Sequence, residues 1–219
     1  MTLKLVIGNK NYSSWSMRPW LALRAANIPF EEIFIPLYTG DADKKRILDF
    51  TGSGKVPVLI DGDITVWDSL AIIEYLAERF PEKQLWPEDR ARRAHARSIS
   101  AEMHSGFAAL RNECGMNLRR PVGAVELSAD ARANIARIQE IWTECRERFG
   151  ESGPFLFGAF CGADAMFAPV VHRFRTYAIG VTLEVKHYMD AMMALPAFRE
   201  WTSAGLAETL VIDKFETII

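Results

Sequence analysis

The spacing of apolar positions divides the chain into two unlike parts. Leu3-Lys4-Leu5-Val6-Ile7 reads as a short strand, closed by Gly8 and the polar run Asn9-Lys10-Asn11. A helix follows with Trp20, Leu21, Leu23 and Ala26 among its apolar positions, ending near Asn27. Pro19 restricts its start, because proline is tolerated in a first turn and not further in; the cap is expected around residues 13–16. Residues 30–35 form a second strand, and residues 41–50 a short, highly charged helical or irregular segment. Val58-Leu59-Ile60 and Ile64-Thr65-Val66 are apolar and β-branched, with the hairpin signal Asp61-Gly62 between them. Pro57 stands where its strand begins, the place a missing N–H costs least. Asp68 or Ser69 caps the next helix, whose Leu70, Ile72, Ile73, Leu76 and Phe80 make one broad apolar face.

After residue 79 the pattern changes. Residues 80–87 hold two prolines, no periodicity, and read as a linker. Beyond them strand patterns almost vanish. Ile99, Met103, Phe107 and Leu110 lie at helical spacing, as do Ile135, Ile138, Ile141, Trp142, Cys145 and Phe149. Phe155-Leu156-Phe157-Gly158 leads into a helix over about residues 162–178, with shorter ones near 184–194 and 196–206; the tail carries no pattern. The expected fold is α/β plus all-α: a thioredoxin-like βαβ-ββα domain over residues 1–80, a linker at 81–88, and an all-helical domain over 89–219.

Composition narrows the class. With 49% hydrophobic and 25% charged residues among 219, a sizeable core can be buried. A net charge of −2 argues against a general nucleic-acid or membrane-surface binder. The basic run Arg90, Arg92, Arg93 and Arg97 then reads as a solvated or subunit-contacting helix face. Three cysteines with no CxxC pair suit a reducing compartment, and cytoplasm is the expected location. No apolar run approaches the roughly 18 residues of a membrane span, and the first eleven residues read as a strand, not a signal peptide. Four scattered histidines offer no i, i+4 pair, so no metal is expected. Gly52-Ser53-Gly54-Lys55 is not a P-loop, which requires Gly where Asp49 stands and Ser or Thr where Val56 stands.

The reactive position of a thioredoxin-like domain lies where the first strand meets the first helix, here Tyr12-Ser13-Ser14-Trp15-Ser16-Met17-Arg18. Ser13 and Ser16 occupy the CxxC spacing, which excludes dithiol exchange there. A serine hydroxyl at a helix N-terminus can donate to the sulfur of a bound thiol, and the helix dipole favours the thiolate. If the Val56–Pro57 peptide is cis, the Val56 backbone faces outward and can pair with an extended, peptide-like ligand. The hydroxyl and free amides at Ser69 can hold a carboxylate. Taken singly, Ser13, Ser14 and Ser69 are ordinary helix caps; the Val56 backbone and the Ser69 helix end together suit a small acidic peptide.

These stretches resemble the glutathione S-transferase superfamily, whose N-terminal domain carries Val-Pro before strand three and an acidic or amide residue plus Ser at the next helix start. The run Asp68-Ser69-Leu70-Ala71-Ile72-Ile73-Glu74-Tyr75-Leu76 looks zeta-like, and residues 13–16 resemble the Ser-Ser-Cys-Ser of that class with Trp15 replacing the cysteine. The resemblance implies glutathione as co-substrate, without metal, and a small electrophile as its partner. It implies Ser13 as the catalytic serine with Ser14 beside it; Lys55, Val56, Pro57, Asp68 and Ser69 at glutathione, Asp68 towards its ammonium group; and a homodimer. Ser13 stands five residues before Arg18, the zeta-like register, whereas a theta-like register would select Ser14. A cap hydroxyl is also expected to point outward, while the next residue is committed to the first turn. Trp15 and the helical face of His104, Phe107 and Arg111 are candidates for the electrophile's pocket, or for helix packing.

The expected activity is activation of the glutathione thiol for attack on a small electrophile. Alternatives are a glutathione-dependent isomerase, lyase or dehalogenase, and a non-catalytic glutathione-binding scaffold. Zeta-class isomerases are expected to place an arginine for the substrate carboxylate on a helix of the second domain. Counting from Ala163-Asp164 puts Thr176 there, with Arg173 and Arg175 nearby, which speaks against isomerase activity.

Overall fold

A computed structural model describes residues 2–216. Its first part runs β1 (Leu3–Ile7), α1 (Ser14–Ala25), β2 (Phe30–Phe34), α2 (Asp41–Leu48), β3 (Val58–Asp61), β4 (Ile64–Val66) and α3 (Ser69–Arg79). The sheet order is β2-β1-β3-β4, with β1 parallel to β2 and antiparallel to β3. Asp61 pairs with Ile64, so the hairpin turn is Gly62-Asp63, and Gly62 takes a left-handed φ of 60° that glycine adopts without steric cost.

Strand periodicity decides what each face covers. Leu3, Leu5 and Ile7 point to the main core beneath α1 and α3, whereas Val6 points the other way, to Val58, Ile35 and Ile47 of α2. Both faces are therefore covered, which explains why β1 reads as a nearly continuous apolar run.

The second part is helical: α4 (Arg90–Ser105), α5 (Ala108–Glu113), α6 (Ala129–Phe149), α7 (Gly162–Thr176), α8 (Leu183–Ala194), α9 (Pro196–Ala207) and α10 (Asp213–Glu216), with 3-10 turns at Pro81–Lys83 and Gly150–Ser152. Helix α7 is buried on every side except at Arg175, and both α1 and α4 pack on it, so it is the axle joining the two parts. A Cβ on Gly162 would come within 2.9 Å of Ile73 and Trp86, so only glycine lets α7 begin this close to α3. Residues 217–219, the end of the expected helical region, lie outside the described residues.

Several expectations are corrected. Pro19 is the sixth residue of α1, in its second turn, and its missing N–H leaves the Trp15 carbonyl without its helical donor. Leu85 and Trp86, within the stretch read as a linker, are buried, and the Leu85 carbonyl accepts the Gly162 N–H at 2.7 Å. Helix α4 stops at Ser105. Phe107 then takes a left-handed conformation (φ 60°, ψ 38°), so Phe107 and Arg111 do not continue the face of His104. Phe107 turns into the core instead. The basic run is solvated, as expected, with Arg90 and Arg97 exposed and Arg92 and Arg93 partly so; Arg97 also bonds Glu74 of α3 through two hydrogen bonds of 2.8 and 2.9 Å, and Arg93 the Pro87 and Glu88 carbonyls.

Candidate functional site

A cavity of about 1140 Å³ opens where the N-terminus of α1, the approach to β3 and the N-terminus of α3 face α4, α5 and α7. Ser13, Ser14, Trp15, Lys55, Val56, Pro57, Asp68, His104 and Arg111 all line it. Ser69 and Phe107 do not.

Ser13 caps α1. Its Oγ accepts the Ser16 N–H at 3.3 Å and donates to Ser16 Oγ at 2.7 Å, and that oxygen in turn accepts the Gly8 N–H at 3.1 Å. The expectation of an outward, uncommitted hydroxyl at the cap is therefore corrected: Ser13 donates its proton inside the turn. Ser14 lines the cavity, and among the described residues its hydroxyl has no hydrogen-bond partner.

The Val56–Pro57 peptide is cis, and among the described residues no backbone hydrogen bond engages Val56. Asp68, not Ser69, caps α3: its Oδ1 accepts the Leu70 N–H at 3.2 Å, and its Oδ2 lies 3.0 Å from His104 Nε2. Ser69 is fully buried just behind, its Oγ without a partner.

Where Trp15 and Arg18 of α1 meet His104 and Arg111 of the helical part, the site is basic and aromatic. The Trp15 indole meets the His104 ring edge-on at 5.3 Å, and the guanidinium carbons of Arg18 and Arg111 lie 4.2 and 4.7 Å from the indole centroid. Arg111 caps the end of α4, donating from Nε to the Gly106 carbonyl at 3.0 Å and from Nη2 to the His104 and Met103 carbonyls. Arg18 is 1% exposed, with Nε and Nη1 unpartnered. Burial, then the charges of Arg111 and Arg173, pushes its pKa well down, and Asp68 opposes them. Arg173 of α7 donates from Nη1 to the Cys114 carbonyl at 2.5 Å; burial and then Arg111 bring its pKa to about 10.

Arg173 lines the cavity while Arg175 is exposed, and Arg173 was marked in the sequence only as a neighbour of Thr176. Tyr12, Tyr38 and Phe215 were missed. Phe215 stacks on Tyr12 at 5.6 Å and meets Tyr38 edge-on at 5.4 Å. The Tyr12 hydroxyl bonds Glu216 and accepts a hydrogen bond from Arg119 Nη2 at 2.7 Å, so the segment around Phe215 and Glu216 lies beside the N-terminus of α1. The only sequence signal was Tyr12's place next to Ser13. Among the described residues no group of His, Cys, Asp or Glu is placed to hold a metal ion, and no helix is long and apolar enough to cross a membrane.

Residues 12–79 match the family model for the glutathione S-transferase N-terminal domain, and residues 126–204 that for the C-terminal domain. Glutathione S-transferase 1 of Dianthus caryophyllus is 31% identical over 172 residues, covering 78% of this chain and 77% of that protein. The maleylacetoacetate isomerase of Pseudomonas aeruginosa is 27% identical over 212 residues, 94% of this chain and 99% of its own. A glutathione transferase homolog from Burkholderia, solved with bound glutathione, superposes with a TM-score of 0.71 at 22% identity, covering 94% of this chain and 98% of that one. On the two domain matches and the Dianthus caryophyllus relative, the chain belongs to the glutathione S-transferase family.

Proposed function

We propose that this protein binds glutathione and activates its thiol for attack on a small electrophile, with Ser14 as the hydroxyl that meets the sulfur. The observation that carries this is the unengaged Ser14 hydroxyl at the N-terminus of α1, in the same cavity as the unpaired Val56 backbone. The extended peptide of glutathione would pair with Val56, and Lys55 would face a carboxylate from the same side. At the α1 end the helix dipole and a cavity wall rich in guanidinium charge both favour thiolate over thiol. Ser13 then supports the site by capping α1, and Asp68 by capping α3 while pairing with His104.

Glutathione conjugation measured on a panel of electrophiles, with and without glutathione, tests the reading. Tight glutathione binding with no turnover on any of them would favour the non-catalytic scaffold. Isomerisation is the second reading, and the near full-length match to a maleylacetoacetate isomerase favours it. Turnover of a cis-enone acid with glutathione regenerated unconsumed would select it.

The protein also acts, in this reading, as a cytoplasmic homodimer joined through α3 and α4. Trp67 and Ile64, each 50% exposed at the β4 edge, are the apolar surface such a contact would cover. Sedimentation giving a monomer mass at micromolar concentration would overturn the dimer.

A further inference from the structure

We propose that Glu208, at the end of α9, is a positioning residue: with Asn11 it clamps, from the helical part, the loop that carries Ser14 to the cavity, and thiol activation depends on that clamp. This deepens the transferase reading and rests on it for the role of Ser14.

The loop between β1 and α1 is a tight turn. The Asn9 carbonyl accepts both the Tyr12 and the Ser13 N–H, at 3.1 and 2.7 Å. The Lys10 and Asn11 N–H groups are left over, and among the described residues neither finds a partner in the first part of the chain. The Glu208 carboxylate accepts both, Oε1 from Lys10 and Oε2 from Asn11 at 3.2 Å. Two successive amides on one carboxylate form an anion nest, and bonds to a charged acceptor are the strong kind. Asn11 is fully buried, and its side chain works on the same boundary. Its Oδ1 accepts the Leu118 and Arg119 N–H groups at 2.8 and 3.1 Å, and its Nδ2 donates to Asn117 Oδ1 at 3.1 Å. Arg119 closes the ring, donating to the Glu208 and Leu210 carbonyls at 2.6 and 2.8 Å and to the Tyr12 hydroxyl.

Close approach supplies the second argument. A Cβ on Gly205 would stand 3.2 Å from the Asn11 nitrogen and the Lys10 carbonyl carbon, and 2.5 Å from Leu118. Glycine there lets α9 rest on the loop backbone itself. Contacts that only held two domains together could fall anywhere along the boundary of α1 and α9, as the Arg24–Glu200 pair does at 3.3 Å. These fall on Lys10, Asn11 and Tyr12, directly before Ser13 and Ser14. With the clamp open, the Lys10 and Asn11 backbone would keep only the Asn9 turn around it, and a small displacement of a hydroxyl is enough to weaken its bond to a thiolate.

Charge and position predict opposite signs. A carboxylate near the start of α1 disfavours a thiolate there, so losing Glu208 for its charge alone would lower the pKa of the bound thiol. Losing it as a clamp raises that pKa, because Ser14 is no longer held against the sulfur.

The test titrates thiolate absorbance in the glutathione complexes of the whole protein and of Glu208→Ala, Glu208→Gln, Ser14→Ala and the double variant Ser14→Ala/Glu208→Ala. Amide hydrogen exchange of residues 9–16 is followed beside it. Glu208→Ala should raise the thiol pKa by up to about one unit, the shift expected of Ser14→Ala. Glu208→Gln keeps one acceptor and should fall between; it carries the test if Glu208→Ala does not fold. The double variant should shift no further than Ser14→Ala alone, since Glu208 acts through that hydroxyl. Glu200→Gln, which breaks the Arg24 pair on the same boundary, should leave the pKa unmoved. Where Ser14→Ala raises the pKa, an unchanged or lowered pKa in a folded Glu208 variant, or shifts that add in the double variant, overturns the proposal. A pKa that does not move in Ser14→Ala defeats the choice of Ser14 in the transferase reading instead. Exchange then judges the clamp by itself: faster exchange in Glu208→Ala keeps it, and unchanged exchange overturns it.

Discussion

Ser13 Oγ lies 2.7 Å from Ser16 Oγ and donates to it, which ties the Ser13 hydroxyl into its own turn. The proposed assignment of the thiol to Ser14 predicts different effects of removing the two hydroxyls. Ser13→Ala should cost about 1 kcal/mol of stability, the usual price of a lost N-cap. It should leave the pKa of the bound thiol near its value in the unsubstituted complex. Ser14→Ala should leave stability nearly unchanged and raise the thiol pKa by about one unit, which is about 1.4 kcal/mol and a severalfold loss of thiolate near neutral pH. Thiolate absorbance titrated in both glutathione complexes, beside denaturant melts of both apo proteins, separates the roles. A raised pKa in the Ser13 variant alone would return the assignment to Ser13.

No thiol of the protein itself should compete with that of the ligand. Cys114, Cys145 and Cys161 are all buried. Burial pushes Cys114 up to about 11 and Cys145 up to about 12, with Cys161 raised as well. The native protein at pH 8 should therefore be nearly inert to Ellman's reagent and release three equivalents only when unfolded. A fast-reacting equivalent in the native state would mean that one of these cysteines reaches solvent.

What could be read from the chain follows from which signals are local. The apolar run Leu5-Val6-Ile7, the turn glycine Gly62 and the Val56-Pro57 pair each act over a few residues, and the sheet follows from them. Helical spacing is less discriminating. Met103, Phe107 and Leu110 keep the i, i+4, i+7 pattern across the break after Ser105, so no periodicity could reveal that Phe107 turns inward while Arg111 swings to the cavity. Arg173 is obscured differently: α7 is buried everywhere except at Arg175, so it has no polar face from which a ligand-facing residue could be picked out. For Ser13 and Ser14, register selects a position, but the hydroxyl's direction depends on contacts with Ser16 and Gly8 that spacing does not carry. The last turn, α10, is four residues long and too short to show a period.

Asp164 should give the protein an acid-side stability signature. Its Oδ1 accepts the Leu156 N–H at 3.1 Å and its Oδ2 the Cys161 N–H at 2.8 Å, the acidic half of a capping box at the start of α7. Burial raises its pKa from 3.8 to about 6, although those N–H groups pull it back. Between roughly pH 4 and 6 the folded chain then holds a proton that the unfolded chain has lost. Stability from this group is greatest below about pH 4, falls as pH rises to about 6, and is flat above; two units correspond to at most about 3 kcal/mol. Asp164→Asn replaces an acceptor by an NH₂ facing an N–H, which costs about 1–3 kcal/mol at low pH. The gap between the two proteins should narrow as pH rises from 4 to 6. A gap that stays constant across that range, in denaturant melts, would show that Asp164 titrates as an ordinary carboxyl.

Ser69 is predicted to help hold the carboxylate end of glutathione. Its hydroxyl is buried at the first position of α3 with no partner, and an unsatisfied buried hydroxyl is a cost to the apo protein. Such a group is either a packing defect or a donor waiting for its acceptor. As a donor it would need the ligand to enter past Asp68, which stands between Ser69 and the cavity and is tied to His104. Ser69→Ala removes the orphan without changing the helix, since Asp68 supplies the cap. Apo stability should therefore hold or rise slightly, while glutathione affinity falls by about 1–3 kcal/mol, the worth of a hydrogen bond to a charged group. Calorimetry with glutathione on the variant, beside a denaturant melt of its apo form, reads both at once. Stability gained with affinity intact would assign Ser69 to the core and leave the free amides of α3 to hold the carboxylate unaided.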